Sequence, residues 1–347
     1  MTQGAPAESP QRRREPSMED VAREAGVSGQ TVSRVVNARG YVGAETRTRV
    51  EAAMQRLGYR PNSAARALRS GRFRAIGVVM FSFSSYGNQR TLDAIAVRAA
   101  HAGYALTLIP IESSATETVV GAFRRLEEHA VDGIVIVIEA HQLDESDVDI
   151  PTGVPVVFVD SSRSSTRPFV DTDQAQGARL ATEHLLDLGH ETVWHVAGPE
   201  KSYSAERRRQ SWQETLEARG SRVPEALVGD WSADSGYRAG VLLREDAAVT
   251  AVFAANDQMA IGVLRAFREV GRDVPRDVSI VGFDGLPDAA QLWPPLTTVQ
   301  QHPERVGAAA VDLLLAELDG EQTAPVPLIG TELVVRGSTS APTASAR

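Results

Sequence analysis

Seven short apolar runs recur along most of this chain. They are AIGVVMF, ALTLIPI, GIVIVI, VPVVFVD, TVWHVAG, AVFAAND and VSIVGFD, with amphipathic stretches between most of them. Strands that are apolar on both faces and alternate with helices call for parallel, doubly wound sheets covered by helices on each side. Seven or more such strands after Arg74 suit two lobes better than one. Crossings between the lobes are expected at Asp171–Asp173 and at Leu296–Gln301, with a return to the first lobe through a helix over Glu304–Leu318. Ligands of open α/β sheets bind beyond the carboxyl ends of the strands. Between two lobes, that places a site in the cleft.

The remaining front of the chain has a different character. Residues 1–74 hold fourteen arginines and seven acids, whereas the rest holds 22 basic and 38 acidic side chains, for a formal net charge of −9 overall. A basic head on an acidic body suits a polyanion met by the head and repelled by the body. The 347 residues exceed one ordinary domain, and 42% apolar content supports a sizeable core. There is no cysteine, which excludes disulfides, thiolate metal sites and thiol nucleophiles. The opening MTQGAPAESPQRRREP has charge but no apolar region of a secretory signal. No run approaches the ~18 apolar residues of a membrane span. The expectation is a soluble, cytoplasmic chain with no membrane contact.

Residues 1–16 read as a disordered tail. Ser17 then precedes Met18-Glu19-Asp20, a hydroxyl cap followed by acids that complement a helix dipole. Val21, Ala22 and Ala25 share one helical face before Gly26 stops the helix. Ser28 is a second cap, and Val32, Val35 and Val36 give the next helix its buried side. Two short helices joined by Ala-Gly-Val-Ser make a helix-turn-helix, whose second helix can enter a major groove. A third helix is expected from about Ala44 to Leu57, with Gly58 as its stop. The exposed side of the second helix carries Gly29, Gln30, Thr31, Ser33, Arg34 and, at its end, Asn37. Gln and Arg can pair with base edges, while Ser, Thr and Asn suit phosphate oxygens. From Tyr59 the chain runs YRPNSAARALRSG, about two helical turns between Pro61 and Gly71. Its alanines permit close backbone approach, and Leu68 is the apolar side chain fit to wedge between base steps.

These motifs together resemble the lactose-repressor (LacI) family of bacterial transcription regulators, from Ser17 to about Thr339. DVAREAGVSGQTVSRVVN, TRTRVEAAMQRLGYRPN and the AARAL hinge carry the resemblance at the front. It implies an all-α helix-turn-helix head and hinge helix, joined to an α/β two-lobed, periplasmic-binding-protein-like body of doubly wound parallel sheets. It implies that Gln30 and Arg34 read bases, that Thr31, Ser33, Asn37 and Asn62 hold phosphates, and that Leu68 is the minor-groove wedge, with Ser28, Gly29, Tyr59 and Ala65 also at the DNA. Gly29 departs from lactose-type members, which carry an aromatic residue at this place.

Polar residues end several strands at the expected cleft. Asp160 closes VPVVFVD, Asn256 and Asp257 close AVFAAND, and Asp284 closes VSIVGFD, while Arg208 lies in the helix after TVWHVAG and Trp231 follows ALVGD. Planar pairs of hydrogen-bonding atoms suit vicinal hydroxyls, and an aromatic face suits the C–H side of a sugar. Singly, a strand-end Asp also serves as a helix cap, and Trp231 as core. AGPEKSYSAERRRQSW, GDWSADSGY, AANDQMAIG, VGFDGLPD and PPLTT look like the lactose-repressor branch. That resemblance implies that Arg208, Trp231, Asn256 and Asp284 contact a sugar effector, with Gln258 and Asp160 nearby. Ser202 and Ser204 stand where the purine-binding branch has Arg and Thr, which argues against a purine. Ser85, Gly87, Asn88 and Thr91 replace small apolar groups of the lactose pattern, and Pro303 replaces a pocket aromatic. The wall is therefore more polar, which suits a galactoside or a larger, more hydroxylated saccharide.

The expected domains are a tail at 1–16, the head at 17–60, a hinge helix and linker at 61–73, a first lobe at 74–171 plus 300–331, a second lobe at 172–299, a final strand at 332–339 and a flexible tail at 340–347. The expected function is a repressor, acting as a homodimer on a palindromic double-stranded operator and released by a small-molecule sugar. A sugar-binding transport protein would share the body but needs an export signal and no DNA-reading head. A glycosidase-like enzyme would use paired cleft acids. No phosphate-binding glycine loop and no metal-spaced histidine cluster is present, so no cofactor, metal or catalytic residue is expected. The tail GSTSAPTASAR has no leucine heptads, so no coiled-coil tetramerisation segment is expected.

Overall fold

A computed structural model of the chain describes residues 16–36, 40–59, 71–80, 85–111, 116–137, 153–159, 168–321 and 326–343. It divides into two compact units, Met1–Phe73 and Arg74–Arg347. The head unit contains α1 (Met18–Ala25), α2 (Gly29–Val36) and α3 (Ala44–Leu57). Ser17 and Asp20 form a capping box: the Ser17 hydroxyl accepts from the Asp20 N–H at 3.2 Å, and the Asp20 carboxylate accepts from the Ser17 N–H at 2.9 Å. Gly26 and Gly58 end α1 and α3 at φ of +64° and +65°, where a Cβ would be strained. The Ser28 hydroxyl accepts from the Thr31 N–H at 3.2 Å and starts α2. Val21, Val32, Val50 and Ala53 are fully buried between the three helices. The helical periodicity read from the sequence thus becomes one small core.

The body unit holds two sheets. In the first, β1 (Ala75–Met80), β2 (Ala105–Pro110), β3 (Gly133–Val137), β4 (Val156–Val159) and β5 (Phe169–Val170) are ordered β2-β1-β3-β4-β5, all parallel. Helices α4 (Tyr86–His101) and α5 (Thr116–Glu128) belong to this lobe. Its two apolar clusters are built around α4 in one case and α5 in the other. In the second sheet, β6 (Trp194–Ala197), β7 (Leu227–Val228), β8 (Ala251–Ala254), β9 (Ser279–Asp284), β10 (Thr297–Gln300) and β11 (Glu332–Val334) are ordered β11-β10-β9-β8-β6-β7. All its pairs are parallel except β10 with β11. Here α6 (Gln174–Asp187) and α7 (Tyr203–Ala218) pack together, as do α8 (Ala233–Leu243) and α9 (Asp257–Glu269). Each of the seven apolar runs of the sequence contains one of these strands.

The chain passes between the lobes side by side with itself. The Asp173 N–H donates to the Ile329 carbonyl and the Ile329 N–H to the Asp171 carbonyl, each at 2.8 Å. After β10, α10 (Pro303–Leu318) returns to the first lobe and packs along α4. Gly307 allows that approach, because a Cβ there would meet the backbone of Thr91 at 2.5 Å. The end of the chain is stitched into the second lobe. The Ser338 hydroxyl accepts from the Thr297 N–H at 2.8 Å and donates to the Ile280 carbonyl at 2.6 Å. No helix among the described residues is long and apolar enough to cross a membrane.

Candidate functional site

Four elements of the second lobe place their ends at one cleft. Arg208 comes from α7, Trp231 from the turn before α8, Asn256 from the cap of α9, and Asp284 from the last position of β9; all four line the cavity. The cavity is closed from the first lobe by Ser85, Gly87, Asn88 and Thr91 of α4 and its cap, with Val159 at the end of β4. Asp171, Thr172, Gln174 and Gln301, at the two lobe crossings, form its sides.

Arg208 is 4% exposed and Asp284 is 6% exposed, so both charges are taken out of water. Burial of an ion pair is tolerable only if the remaining donors and acceptors find partners. They do. The guanidinium lies 3.6 Å from the Asp284 carboxylate, and its Nε donates to the Gln174 side-chain oxygen at 2.8 Å. Its Nη1 also donates to the Ala255 carbonyl. Its carbon stands 3.7 Å from the centroid of the Phe283 ring and 5.4 Å from that of Trp231, within cation–π range. Asp284 accepts from the Gln301 amide at 2.6 Å. A glutamine at each lobe crossing therefore holds one end of the pair.

Trp231 and Asp284 adopt φ of +69° and +107°, the left-handed region that side chains seldom enter. Such outliers persist only where surroundings over-determine them. The Trp231 carbonyl accepts from the Asn256 amide at 3.0 Å, and its indole covers Gly198, where a Cβ would run into the ring. Asn256 also caps α9, accepting from the Met259 N–H at 2.8 Å. Its alternative role as a helix cap is thus present alongside its place in the cleft.

Asp257, its neighbour, does not line the cavity. It is fully buried, and accepts from the Leu286 N–H at 2.7 Å and from the Thr298 hydroxyl at 2.6 Å. Burial, and then the nearby Asp284 charge, push its carboxyl up to about 8. Gln258 is half-buried and is not among the cavity-lining residues. Asp160 lies outside the described residues. Sequence reasoning missed Gln174, Gln301 as a partner of Asp284, and Phe283 as the ring under Arg208. Their only signal was position: two sit at a crossing and one precedes a strand-ending Asp. The histidines have structural settings. His190 bonds Thr250 and Ser279 at 2.9 and 3.1 Å, and His195, stacked on Phe253, is pushed down to about 3, chiefly by burial. No group of three or more His, Cys, Asp or Glu side chains among the described residues forms a metal-binding cluster.

In the head, Ser28, Gly29, Gln30 and Arg34 are exposed along α2, and Thr31 and Ser33 are half-buried. The Ser28 and Thr31 hydroxyls are 3.0 Å apart. Tyr59 is half-buried and packs against the apolar core of the head, which gives its ring a structural role. Asn37, Asn62, Ala65 and Leu68, and the expected hinge helix over 61–73, fall largely outside the described residues.

Comparison with known proteins resolves what this pairing of head and body is. Residues 17–62 match the model of bacterial regulatory proteins of the lacI family, and residues 182–339 match that of a periplasmic binding protein-like domain. The lactose operon repressor of Escherichia coli K12 is 37% identical over 325 residues, covering 93% of this chain and 90% of the relative. The chain belongs to the LacI family. It is a DNA-binding transcriptional regulator and not an enzyme. Among solved structures, the lac repressor dimer bound to operator and the anti-inducer ONPF superposes with a TM-score of 0.85 at 35% identity, covering 94% of this chain and 100% of that one. The CelR–cellobiose complex matches with a TM-score of 0.69 at 33% identity, covering 93% and 99%. The LacI-type architecture expected from the sequence, a helix-turn-helix head with a two-lobed body of parallel sheets, is the one observed, with β11 as its one antiparallel addition.

Proposed function

We propose that this regulator is a cytoplasmic repressor that binds a palindromic operator as a homodimer and leaves it when a saccharide occupies the interlobe cleft. The observation that carries the reading is the buried Arg208–Asp284 pair beside Trp231. Two opposed, hydrogen-bonded charges and an aromatic face form a site for vicinal hydroxyls and the C–H face of one sugar ring. Asn256 adds amide atoms at the same edge. Relatives whose solved structures hold ONPF and cellobiose support a saccharide class. In the head, Gln30 and Arg34 are the base-reading residues, and Thr31 and Ser33 hold phosphates. The dimer follows from the two-fold symmetry of helix-turn-helix operators, and a relative was solved as a dimer on its operator.

The test is operator binding by fluorescence anisotropy with and without each member of a saccharide panel, alongside thermal shift of the full chain. A ligand that prefers the folded protein raises its melting temperature. At least one saccharide should do so and should weaken operator binding. If nucleobases stabilise the protein and saccharides do not, the cleft has been assigned to the wrong chemistry.

A further inference from the structure

Asp257 follows a cleft residue in the chain and yet turns away from the cleft. It is fully buried at the start of α9, and its carboxylate lies against Gly282 of β9, where a Cβ would run into one of its oxygens. Burying an acid is costly unless hydrogen bonds offset the lost water. Here those bonds converge on one turn. One carboxylate oxygen accepts from the Leu286 N–H at 2.7 Å, and the other accepts from the Thr298 hydroxyl at 2.6 Å. The same hydroxyl accepts from the Gly285 N–H at 3.3 Å. Asp257 therefore grips both residues that follow Asp284, one directly and one through β10.

The gripped turn is strained. Asp284 and Gly285 have φ of +107° and +71°, two successive left-handed residues. A non-glycine residue keeps such a conformation only where its surroundings over-determine it. In this one, the Asp284 carboxylate reaches Arg208 and the Gln301 amide. Charge adds to geometry. The charges acting on Asp257 are those of Asp284 on β9 and Arg336 beyond β11, while its β10 neighbour Thr298 is uncharged. Burial, and then the Asp284 charge, hold the Asp257 carboxyl up at about 8. A ligand that excludes water from Asp284 strengthens the repulsion between the two carboxylates. It thereby favours the protonated form of Asp257.

Resting on the saccharide reading of the cleft, we infer that Asp257 is a positioning residue of the effector site: it clamps the Asp284–Gly285–Leu286 turn that presents the Asp284 carboxylate, and it couples saccharide binding to proton uptake.

The experiment is calorimetric titration of the full chain with lactose, cellobiose and maltose from pH 6.5 to 9.5, in buffers of different ionisation enthalpy. For a saccharide that binds, affinity should fall several-fold as pH rises beyond about 8, and binding there should take up protons from the buffer. Asp257→Asn keeps an oxygen for the Leu286 N–H and an N–H for the Thr298 oxygen, as the protonated acid does. It should show neither the fall nor the uptake. Asp257→Ala leaves the Leu286 N–H without its acceptor and should bind at least about ten-fold more weakly than Asp257→Asn. A purely structural role would move melting temperatures, but neither the pH profile nor the proton count. The Asp257→Asn comparison decides the matter whether or not Asp257→Ala folds. A parent whose pH profile and proton uptake match those of Asp257→Asn overturns the inference, as does a folded Asp257→Ala that binds like the parent. Failure of the underlying reading looks different: no probe binds at any pH, or Arg208→Ala binds the best probe like the parent, and then the inference falls with it.

Discussion

At the scale of single residues, the cleft rests on a buried ion pair whose members cannot be removed independently. Arg208→Ala leaves the Asp284 carboxylate buried beside the Phe283 and Trp231 rings, so the body should lose about 3–5 kcal/mol of stability. Saccharide affinity should fall at least about ten-fold with the loss of a charge-assisted donor. Adding Asp284→Asn should restore part of the stability and none of the affinity, as read by urea unfolding and calorimetry. Equal stability of the single and double variants would show that the pair is not coupled. Asp257 gives a pH signature. Its carboxyl has an ordinary value of 3.8 and is pushed up to about 8 by burial and then by Asp284. Between those values the folded state holds a proton that the unfolded state has released, so stability falls as pH rises through this window. His195, pushed down to about 3 from 6.5, acts oppositely and only below 6.5. From pH 6.5 to 8 the parent should therefore lose stability, and Asp257→Asn should flatten that decline in denaturant melts. An identical slope in both proteins would place the proton elsewhere.

At the scale of elements, the spacing of α8 and α9 sets the distance between two cleft residues. Trp231 stands just before the Ser232 cap of α8, and Asn256 is the cap of α9. The helices touch through glycines: a Cβ on Gly236 or Gly262 would collide with backbone atoms of Met259 or Ala233. Gly262→Ala should force them apart, costing about 1–3 kcal/mol and weakening saccharide binding although no cleft residue changes. Preserved affinity in Gly262→Ala, measured by tryptophan fluorescence titration, would separate helix spacing from the site. Helix α2 supplies the second prediction at this scale. Gln30→Ala or Arg34→Ala should reduce specific operator binding by about 1–3 kcal/mol and affect random DNA less; equal losses on both would remove them as base readers. What the sequence makes legible differs between elements for physical reasons. The seven long strands and the head helices announce themselves by apolar period. By contrast, β10 reads Thr-Thr-Val-Gln, yet Thr297 and Thr298 are fully buried. Their hydroxyls are satisfied by partners remote in sequence: Thr298 donates to Asp257, and Thr297 accepts from the Arg336 N–H at 2.9 Å. Asn256 and Asp257 look equivalent as a pair closing β8, and only the fold turns one to the cleft and the other into the interior. The glutamines holding Arg208 and Asp284 belong to no motif, since their role comes from where the chain crosses between lobes.

At the scale of the whole molecule, head and body differ in charge and must communicate without sharing a ligand. Residues 1–74 are basic and the rest acidic, so attraction to DNA is confined to one end of the chain. A saccharide bound in the body can lower operator affinity only if it binds the operator-free state more tightly. Linkage then requires reciprocity: saturating saccharide lowers operator affinity by the same factor by which saturating operator lowers saccharide affinity. A coupling of about 1–3 kcal/mol, or roughly 5–150-fold, is the expected size. The glutamines at the crossings give that coupling a physical start. Gln174 opens α6 directly after one crossing and Gln301 follows β10 at the other, so a ligand that displaces Arg208 or Asp284 pulls on both passes of chain between the lobes. Gln174→Ala should therefore reduce the coupling factor more than it reduces saccharide affinity for the free protein, while operator binding without saccharide stays near the parent's. The measurement is a thermodynamic square: operator affinity with and without saturating saccharide, and saccharide affinity with and without saturating operator, for parent and variant. If the variant loses affinity yet keeps the parent's coupling factor, the crossings do not transmit the signal and Gln174 serves the site alone.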